Sequence, residues 1–532
     1  MPKLLALLLF IAIGISTQAQ SPQHPNIDIL HYRFALAIQD KNDSIKGETT
    51  IAIRLLKDCD QFHLDLVAPS KKSAKGMKVE KIMNKESALE FQQKGDSLII
   101  KNKGKAGDTL HCSIYYQGIP ADGLIISKNK FGERTFFGDN WPTRAHHYLP
   151  CVDHPADKAT LEFIVDAPNH YNVIANGRLV EETNLPEEMT RHHYQCDVPL
   201  PTKVMVIGAA RFAVQNIGNV EGTPVSSWVY PQNREEGFYD YAMAKDILAY
   251  FIKKIGPYPY SKLANVQSKT RFGGMENAGN IFYSEQSITG KRSAEDLIAH
   301  EIVHQWFGNS ASESDWPHLW LSEGFATYLT DVYVEENRSK EEFKKMLSRQ
   351  RQQVIGFYQQ KKTPVVDTIT KDLMEMLNTN AYQKGAWVLH MLRREIGDSL
   401  FFLGVRNYYE QYKLANASTD DFQKLMETTS GLDLNTFFQQ WLHRPGQPLI
   451  EVNAAYKKGI LSLEIAQKQP SQKAYDIPLE VNFVFEDKTV LFKSFRLQEL
   501  EQSIRIELPE KPVEIILDPN VNLLHVGKVI YK

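Results

Sequence analysis

The chain has 532 residues, with 61 Lys and Arg against 64 Asp and Glu and a formal net charge of −3. Its 42% hydrophobic and 23% charged residues exclude a largely disordered or collagen-like chain. The near balance of charge lacks the strong basic excess of a nucleic-acid-binding protein, so we expect no nucleic-acid partner. At roughly 100–200 residues per domain, the length allows about three domains.

Residues 1–20 have the pattern of an export signal. Lys3 supplies a positive charge, an apolar run follows over Leu4–Ile15, and Thr17 and Ala19 have the spacing of a cleavage site. The apolar run is shorter than the about 20 residues that a transmembrane helix needs. The sequence therefore predicts a secretory signal peptide and an exported, periplasmic or extracellular mature chain without a transmembrane segment.

Residues 21–230 are predicted to form an N-terminal β-sheet domain. Polar and apolar residues partly alternate over Ile29–Ile38, Glu48–Leu55, Leu110–Tyr116 and Ala159–Val165, with Gly, Asp and Asn between the runs. All four cysteines lie in this region. In an exported protein they allow either disulfides, in any of three full pairings, or free thiols; they are Cys59, Cys112, Cys151 and Cys196.

Residues 231–448 are predicted to form a mostly helical middle domain, because apolar residues recur there at helical spacing. The predicted helices are Arg234–Lys254, Ser293–Phe307, Phe325–Glu336, Lys340–Tyr358, Ala381–Glu395, Thr419–Thr428 and Leu434–Leu442. Alternation returns over residues 449–532, most clearly at Leu479–Phe485 and Ser503–Leu508, with a hairpin turn at Asp487-Lys488. This last region is predicted to be a small β-sandwich, so the fold class is multidomain α+β.

The middle region contains the motif HExxH at His300, Glu301 and His304. Residues four apart lie on one face of a helix, so both imidazoles can reach one metal ion. Ser293 is the expected N-cap of this helix, and Gly308 is the expected stop. One chance HExxH in a chain with 16 His has odds on the order of a few in a hundred, so the motif alone is suggestive.

A third ligand follows at a suitable distance. A catalytic zinc site needs three protein ligands and one open position. Glu323 lies 19 residues after His304 and begins another helical stretch that can pack against the first. The set predicts one Zn²⁺ ion bound by His300, His304 and Glu323.

Further motifs make the chain similar to a known family. Residues 272–277 (FGGMEN) resemble the GxMEN motif of the M1 aminopeptidases, and residues 382–386 (YQKGA) resemble that family's Tyr-x-Lys-Gly-Ala segment. The resemblance covers roughly residues 27–530. It implies an N-terminal β domain, a thermolysin-like catalytic domain and a small β-sandwich, and it suggests that the family's C-terminal helical domain is lacking.

The resemblance also implies residue roles. Glu301 would be the general base and Tyr382 the donor to the developing oxyanion. Glu276 would bind the free α-amine of a peptide, and the neighbouring residues Gly273, Gly274, Met275 and Asn277 would contact its backbone, with the glycines permitting close approach. The family's second amine-binding acid or amide is missing, and Trp141 occupies its position. Asp139 is therefore the candidate for this second contact.

The sequence is compatible with three functions. The first is a secreted zinc aminopeptidase acting on peptides with a free N-terminus. The second is an epoxide hydrolase with aminopeptidase activity, of the leukotriene hydrolase type. The third is a non-catalytic peptide-binding protein on the same fold. The presence of all three ligands together with Glu301, Glu276 and Tyr382 favours the first. The preferred first residue of the substrate and the oligomeric state stay open at this stage.

Overall fold

The computed structural model describes residues 24–70, 72–85 and 87–532, so the predicted signal peptide lies outside the described residues. Strands dominate the N-terminal part, helices the middle and strands again the C-terminal part, as the sequence predicts. No helix within the described ranges is both long enough and apolar enough to cross a membrane.

The regular secondary structure of the described residues from 27 to 229 consists mainly of strands. They are β1 (Ile27–Ala37), β2 (Ile45–Leu55), β3 (Cys59–Asp65), β4 (Gly76–Asn84), β5 (Ser87–Ala88), β6 (Phe91–Lys94), β7 (Ser97–Gly104), β8 (Thr109–Ile119), β9 (Leu124–Lys128), β10 (Arg134–Gly138), β11 (Lys158–Pro168), β12 (Asn172–Ala175), β13 (Arg178–Leu185), β14 (Met189–Pro201), β15 (Ile207–Ala210), β16 (Ala213–Val220) and β17 (Thr223–Val229). All four segments predicted from alternation are strands. Each is longer than predicted because the terminal residues pair without alternating.

The largest sheet of this part has eight strands in the order β13-β14-β11-β1-β2-β8-β4-β5. β1 is parallel to β11 and antiparallel to β2, so distant segments of the chain meet at its centre. Its inward side chains form one apolar core. Buried Cys112, Cys151 and Cys196 lie in that core, and none of the four cysteines, all of which are described, forms a disulfide.

Helices surround a mixed sheet in the middle region. The helices are α1 (Arg234–Tyr241), α2 (Ala244–Ile255), α3 (Glu295–His304), α4 (Trp320–Asn337), α5 (Lys340–Gln360), α6 (Gly385–Ile396), α7 (Asp398–Tyr412), α8 (Thr419–Ser430) and α9 (Asn435–Phe438). The strands are β18 (Leu263–Ser268), β19 (Gly274–Met275), β20 (Asn280–Ser284), β21 (Ala311–Glu313) and β22 (Ala415–Ala417).

The five-stranded sheet of this region has the order β16-β17-β18-β20-β19. β17 is parallel to β18, and β19 is antiparallel to β20 at the end of the sheet. Two of its strands, β16 and β17, therefore precede the predicted domain boundary at residue 230, although β17 pairs with β18, which follows it. The boundary itself stays a prediction.

Several helices differ in detail from the prediction. The predicted helix Arg234–Lys254 is two helices, α1 and α2, with a break between Tyr241 and Ala244. The prediction of Ser293 as the N-cap of α3 is wrong, since Ala294 has that position without a side-chain cap. The hydroxyl of Ser293 instead hydrogen-bonds that of Thr289 at 2.9 Å. α7 was not predicted.

The C-terminal part forms two sheets from β23 (Leu449–Lys457), β24 (Ile460–Gln467), β25 (Ile477–Val484), β26 (Val490–Leu497), β27 (Glu501–Glu507), β28 (Glu514–Leu517) and β29 (Val526–Tyr531). Their orders are β27-β24-β23-β29 and β26-β25-β28. The predicted hairpin at Asp487-Lys488 is confirmed, because β25 and β26 pair antiparallel across it. Buried residues of both sheets join the core of the middle region.

Two buried lysines join the N-terminal part to the segment that follows α3. Lys158 donates from Nζ to the carbonyl oxygens of Ser310 and Ala415, each at 2.7 Å. Lys203 forms a fully buried ion pair with Glu313. Buried charges of this kind need partners, so these contacts fix the N-terminal part against the end of the helix that carries HExxH.

Candidate metal centre

The imidazoles of α3 lie next to each other, as the helical spacing predicts. His300 Nε2 and His304 Nε2 are 3.0 Å apart. Glu323, in the first turn of α4, has Oε2 at 3.5 Å from His300 Nε2 and 3.3 Å from His304 Nε2. These three ligand atoms lie within 4.8 Å of one another. The two helices thus bring the three predicted ligands to one point.

The donor set fits a divalent cation. Glu323 Oε2 is buried and has no hydrogen-bond partner among the described residues. Burial favours a neutral acid, yet the imidazoles of His304 and His300 outweigh it and hold the pKa of Glu323 well below its usual range. Two nitrogens and one carboxylate oxygen, all turned to one point, form the N/O ligand set of a catalytic zinc site.

Two more carboxylates surround the same point. Glu276 and Glu301 have ligand atoms within 4.8 Å of one another and of His304. Burial raises the pKa of Glu301 well above its usual range and raises that of Glu276. Burial disfavours a charged imidazole, yet Glu323, Glu276 and Glu301 together raise the pKa of His304 to about 10. So much buried negative charge requires compensating positive charge.

Two contacts of Nδ1 fix the orientation of the His304 ring. Its Nδ1 lies 3.2 Å from the carbonyl oxygen of Phe307 and 3.1 Å from the hydroxyl of Ser322. Because the carbonyl can only accept, Nδ1 carries a proton, and Nε2 is the nitrogen that would bind a metal ion after losing its own proton. Ser322 directly precedes the ligand Glu323 in α4. Its contact with His304 gives it a role in positioning a ligand, which the sequence spacing alone did not indicate.

Glu301 lies against the strand β19. A Cβ atom at Gly274 would lie 2.6 Å from Cδ of Glu301, whereas a Cβ at Gly273 would meet only the methyl groups of Leu297, at 3.8 Å and more. Gly274 therefore provides the space that the Glu301 carboxylate occupies. The two predicted glycines differ in this respect, which the motif does not reveal.

Glu276 directly follows β19 and is held through its backbone. Asn309 Nδ2 donates to its carbonyl oxygen at 2.6 Å, and Gln305 Nε2 donates to the same oxygen at 2.8 Å. Its side chain is 5% exposed, and Oε1 has no partner among the described residues. The buried carboxylate is thus free to accept a hydrogen bond from a ligand. The next residue, Asn277, is fully buried beneath the cavity.

Tyr382 lies in a π-helical turn, Asn380–Lys384, that precedes α6. Its ring stacks on that of His300 at 6.0 Å, and burial raises its pKa well above the usual range. Gly324 and Gly385 let α4 and this turn pack closely, since a Cβ on Gly385 would lie 3.0 Å from Cα of Gly324. The neutral phenol is therefore held beside the metal ligands as a hydrogen-bond donor.

Asp139 is buried behind the cavity and already has partners. Its Oδ1 accepts from Arg144 Nη2 at 2.6 Å, and its Oδ2 accepts from the backbone N–H of Arg271 at 3.1 Å. It is absent from the residues that line the cavity, whereas Trp141 is among them. Its predicted contact with the substrate amine stays a prediction that this geometry does not favour.

The cavity at the centre has a volume of about 50 Å³. Its polar lining consists of the three ligands, Glu276, Glu301 and Tyr382. Its apolar lining consists of Trp141, Phe272, Met275 and Leu377. Gly273 lies outside the lining and Gly274 within it. The cavity thus combines a metal-ligand set, an unpartnered carboxylate and an apolar wall.

Comparison with known protein families agrees with this arrangement. Residues 239–441 match the peptidase family M1 domain, and residues 29–204 match the peptidase M1 N-terminal domain. The two matches together cover most of the chain. The fold and the site define a metallopeptidase type of centre, and the chain belongs to peptidase family M1.

Curated relatives include the glutamyl aminopeptidase of Homo sapiens, which is 28% identical over 59% of this chain and 34% of its own length. Probable aminopeptidase 1 of Sulfurisphaera tokodaii is 26% identical over 75% of this chain and 51% of its own length. The chain thus spans between about a third and a half of the length of these relatives.

Among solved structures, a mutant of an M1 zinc metallopeptidase from Deinococcus radiodurans has the same fold. The TM-score is 0.69 at 20% sequence identity, over 81% of this chain and 98% of that one. This similarity extends the fold assignment to most of the described residues.

Proposed function

We propose that this protein is a zinc-dependent aminopeptidase that releases N-terminal residues from peptides. The observation that carries the proposal is the position of Glu276, a buried carboxylate with an unpartnered oxygen, in the same cavity as His300, His304 and Glu323. A carboxylate there can bind an ammonium group by a charge-assisted hydrogen bond. It thereby fixes the distance between a free N-terminus and the reacting carbonyl.

One zinc ion is the proposed cofactor, bound by His300, His304 and Glu323. Bound zinc polarises a carbonyl group and makes a water molecule more acidic. Glu301 is the proposed general base, because burial raises the pKa of its carboxylate and thereby increases its affinity for a proton. Its carboxylate takes a proton from the attacking water and delivers it to the leaving amine.

Tyr382 is the proposed donor to the oxyanion. Its hydroxyl group stays protonated, since burial raises its pKa. A donor placed where negative charge develops lowers the barrier of acyl transfer. The peptide backbone would lie along β19, which pairs with β20 on one side only and is the terminal strand of its sheet. Added-strand pairing of this kind uses main-chain hydrogen bonds and is independent of side-chain sequence.

Two finer statements belong to the same proposal. The contact of α3 with α4, which carry the two histidines and the third ligand, supports a thermolysin-like catalytic domain.

Export to the periplasm or the extracellular space rests on the sequence of residues 1–20 alone. Fractionation of cells that express the full chain, with N-terminal sequencing of the mature protein, tests the export. Uncleaved protein in the cytoplasm would contradict it.

The activity is tested with purified protein and a panel of chromogenic aminoacyl substrates. Substrates with a free α-amine are expected to be hydrolysed. This activity is expected to be lost when a chelator removes the metal and to return when zinc is added. N-acetylated substrates are expected to be inert. Equal hydrolysis of acetylated and free substrates would contradict the exopeptidase assignment.

A matched variant separates chemistry from metal binding. Glu301→Gln preserves size and hydrogen bonding but removes the base, so turnover is expected to fall by at least a thousand-fold while the bound zinc, measured by metal analysis, stays at one per chain. If the variant were inactive but had also lost zinc, the result would not identify Glu301 as the base. A fully active variant would show that Glu301 is not the base.

A further inference from the structure

The apolar wall of the cavity restricts the first residue of the substrate. We infer that the enzyme prefers peptides whose N-terminal residue is small and uncharged, and that Trp141 is the residue that sets this preference. The inference rests on the proposed aminopeptidase function and deepens it. Four features of the cavity carry it: the position of Trp141, its rigidity, the cavity volume and the distribution of charge.

Trp141 lines the cavity together with Phe272, Leu377 and Glu276, the proposed amine-binding residue. A peptide with its amine at Glu276 and its first carbonyl beside the metal ligands must place the side chain of its first residue between these groups. The side chain therefore meets the wall that Trp141, Phe272 and Leu377 form, and this wall offers carbon surface.

The indole of Trp141 has no room to move aside. Its side chain is 2% exposed. It makes edge-to-face contacts with the rings of Phe272, with centroids 6.1 Å apart, and of Trp316, with centroids 5.6 Å apart. Such aromatic pairs stabilise one ring orientation beyond the burial of their area. Trp141 also belongs to a buried cluster that includes Met376 and Leu319.

The cavity is small. Its volume is about 50 Å³, where a single water molecule needs about 10–15 Å³ on a comparable measure. The α-amine and the reacting carbonyl group take part of that space. A methyl group fits in what is left, whereas a benzyl side chain requires displacement of Trp141 or Phe272, and displacement of packed core groups is costly.

The charges around the cavity exclude an acidic side chain. Three carboxylates line it, and the described lining includes no Lys or Arg. Three cations of the neighbouring segments are already paired. Arg144 binds Asp139, Arg271 binds Asp122, and Lys203 binds Glu313. An N-terminal Glu or Asp would add a fourth buried negative charge without a free partner, which is strongly unfavourable.

A basic side chain is excluded for a different reason. An N-terminal Lys or Arg would place its charged end against the carbon surface of Trp141, Phe272 and Leu377. Asp139, the acid behind this wall, is neutralised by Arg144. The remaining carboxylates serve the α-amine, the metal and the proton transfer. A second cation from the side chain therefore finds no free partner in the described lining.

The inference is tested with the zinc-loaded enzyme and five substrates that differ only in the first residue: Ala, Leu, Phe, Glu and Lys. For the wild type, kcat/KM is expected to be highest for Ala and at least ten-fold lower for Phe, Glu and Lys. Addition of even one methylene group to a filled pocket changes such ratios by about ten-fold or more.

Trp141→Ala is expected to raise the ratio of kcat/KM for Phe over Ala by at least ten-fold, and Trp141→Phe by a smaller factor. Trp228→Ala is the matched control, because Trp228 packs against the same cluster but does not line the cavity. It is expected to leave the ratio unchanged. Zinc content and thermal unfolding are measured for each variant.

The outcomes separate the two proposals. Failure to hydrolyse any of the five substrates would overturn the aminopeptidase proposal, and this inference with it. A metal-dependent activity highest on Phe, Glu or Lys would overturn only the preference for small uncharged residues. A folded Trp141→Ala enzyme with an unchanged Phe-to-Ala ratio would remove Trp141 as its cause. If Trp141→Ala does not fold, the Phe-to-Ala ratio of Trp141→Phe and the order of the five substrates for the wild type test the inference.

Discussion

The side-chain amide of Asn309 donates a 2.6 Å hydrogen bond to the backbone carbonyl oxygen of Glu276. Gln305 donates to the same oxygen at 2.8 Å. Both donors follow His304 in the chain, within the segment that ends the metal-binding helix. The residue proposed to bind the substrate amine is therefore held by the element that carries two metal ligands, and the distance between amine and metal depends on these two amides.

Asn309→Ala is expected to raise KM for free-amine substrates about five-fold, since a hydrogen bond of about 1 kcal/mol corresponds to that factor. The zinc content is expected to stay unchanged, and kcat to fall less than KM rises. Steady-state kinetics with metal analysis measure this. Gln440→Ala is the control, because that buried amide also donates to a backbone carbonyl, of Asp476, far from the site. Equal effects of both variants on KM would contradict the positioning role.

Gly274→Ala is expected to lower kcat by at least ten-fold while zinc stays bound. The added methyl group would occupy the space of the Glu301 carboxylate and displace the proposed base. Gly273→Ala is the matched control, since its methyl group meets only Leu297 at an ordinary contact distance. A kcat loss of the same size in both variants would show that the strand, and not Glu301, is sensitive to substitution.

Ser322→Ala is expected to weaken zinc binding about ten-fold, the lower end of what loss of a group that orients a metal ligand costs. The hydroxyl contacts His304 Nδ1 at 3.1 Å, and the carbonyl oxygen of Phe307 remains to orient the ring. Competition with a chromogenic chelator measures the affinity. An unchanged affinity would show that Ser322 does not position this ligand.

The buried carboxyl group of Asp331 predicts how the stability of the protein depends on pH. Burial raises the pKa of this carboxyl group to about 8, although Gln350 donates to it. The folded state therefore holds the proton more tightly than the unfolded chain, where the pKa is near 4, and the contribution of Asp331 to stability is lost as pH rises from about 4 to 8. Asp331→Asn removes this loss and gives the unpartnered Gln350 Oε1 a donor.

The expected result is a melting temperature above that of the wild type at pH 8, with a smaller difference at pH 5. Asp367→Asn is the control of opposite sign: burial disfavours its charge, but hydrogen bonds from Thr370 outweigh this and lower its pKa. Asp367→Asn is expected to destabilise the protein about equally at pH 8 and pH 5 and less below about pH 4, because a lowered pKa confines the effect to the acid side of the unfolded value. Parallel pH dependence in the two variants would contradict both assignments.

The sequence was sufficient for the parts of the site that a helix brings together locally. The spacing within HExxH determines that His300 and His304 share a face, and the patterns around residues 295 and 325 predict two helices that carry all three ligands. The six segments predicted from alternation also form strands, because one side of each is buried or half-buried and the alternation of polar and apolar residues reflects this.

The rest depends on contacts between distant segments. The partners of Asp139 lie five and 132 residues away, so no local pattern distinguishes a paired acid from a free one. Ser322 and His304 meet only because α3 and α4 pack together. The wrong N-cap at Ser293 has a local origin instead, since its hydroxyl group hydrogen-bonds that of Thr289, four residues earlier. The break between α1 and α2 occurs at residues that are themselves good helix formers.

The pairing of β17 with β18 has a consequence for how the enzyme can be divided. A fragment that begins at residue 231 would lack two of the five strands of the sheet that contains β19, and the fully buried Val225 and Val229 would no longer cover the core they belong to. The buried lysines Lys158 and Lys203 would also be missing from the end of α3. The unit that holds the site therefore begins before the predicted boundary at residue 230. Chimeras and truncations that keep the site intact must begin before Ala213, and those that keep the lysine contacts must retain most of the N-terminal part.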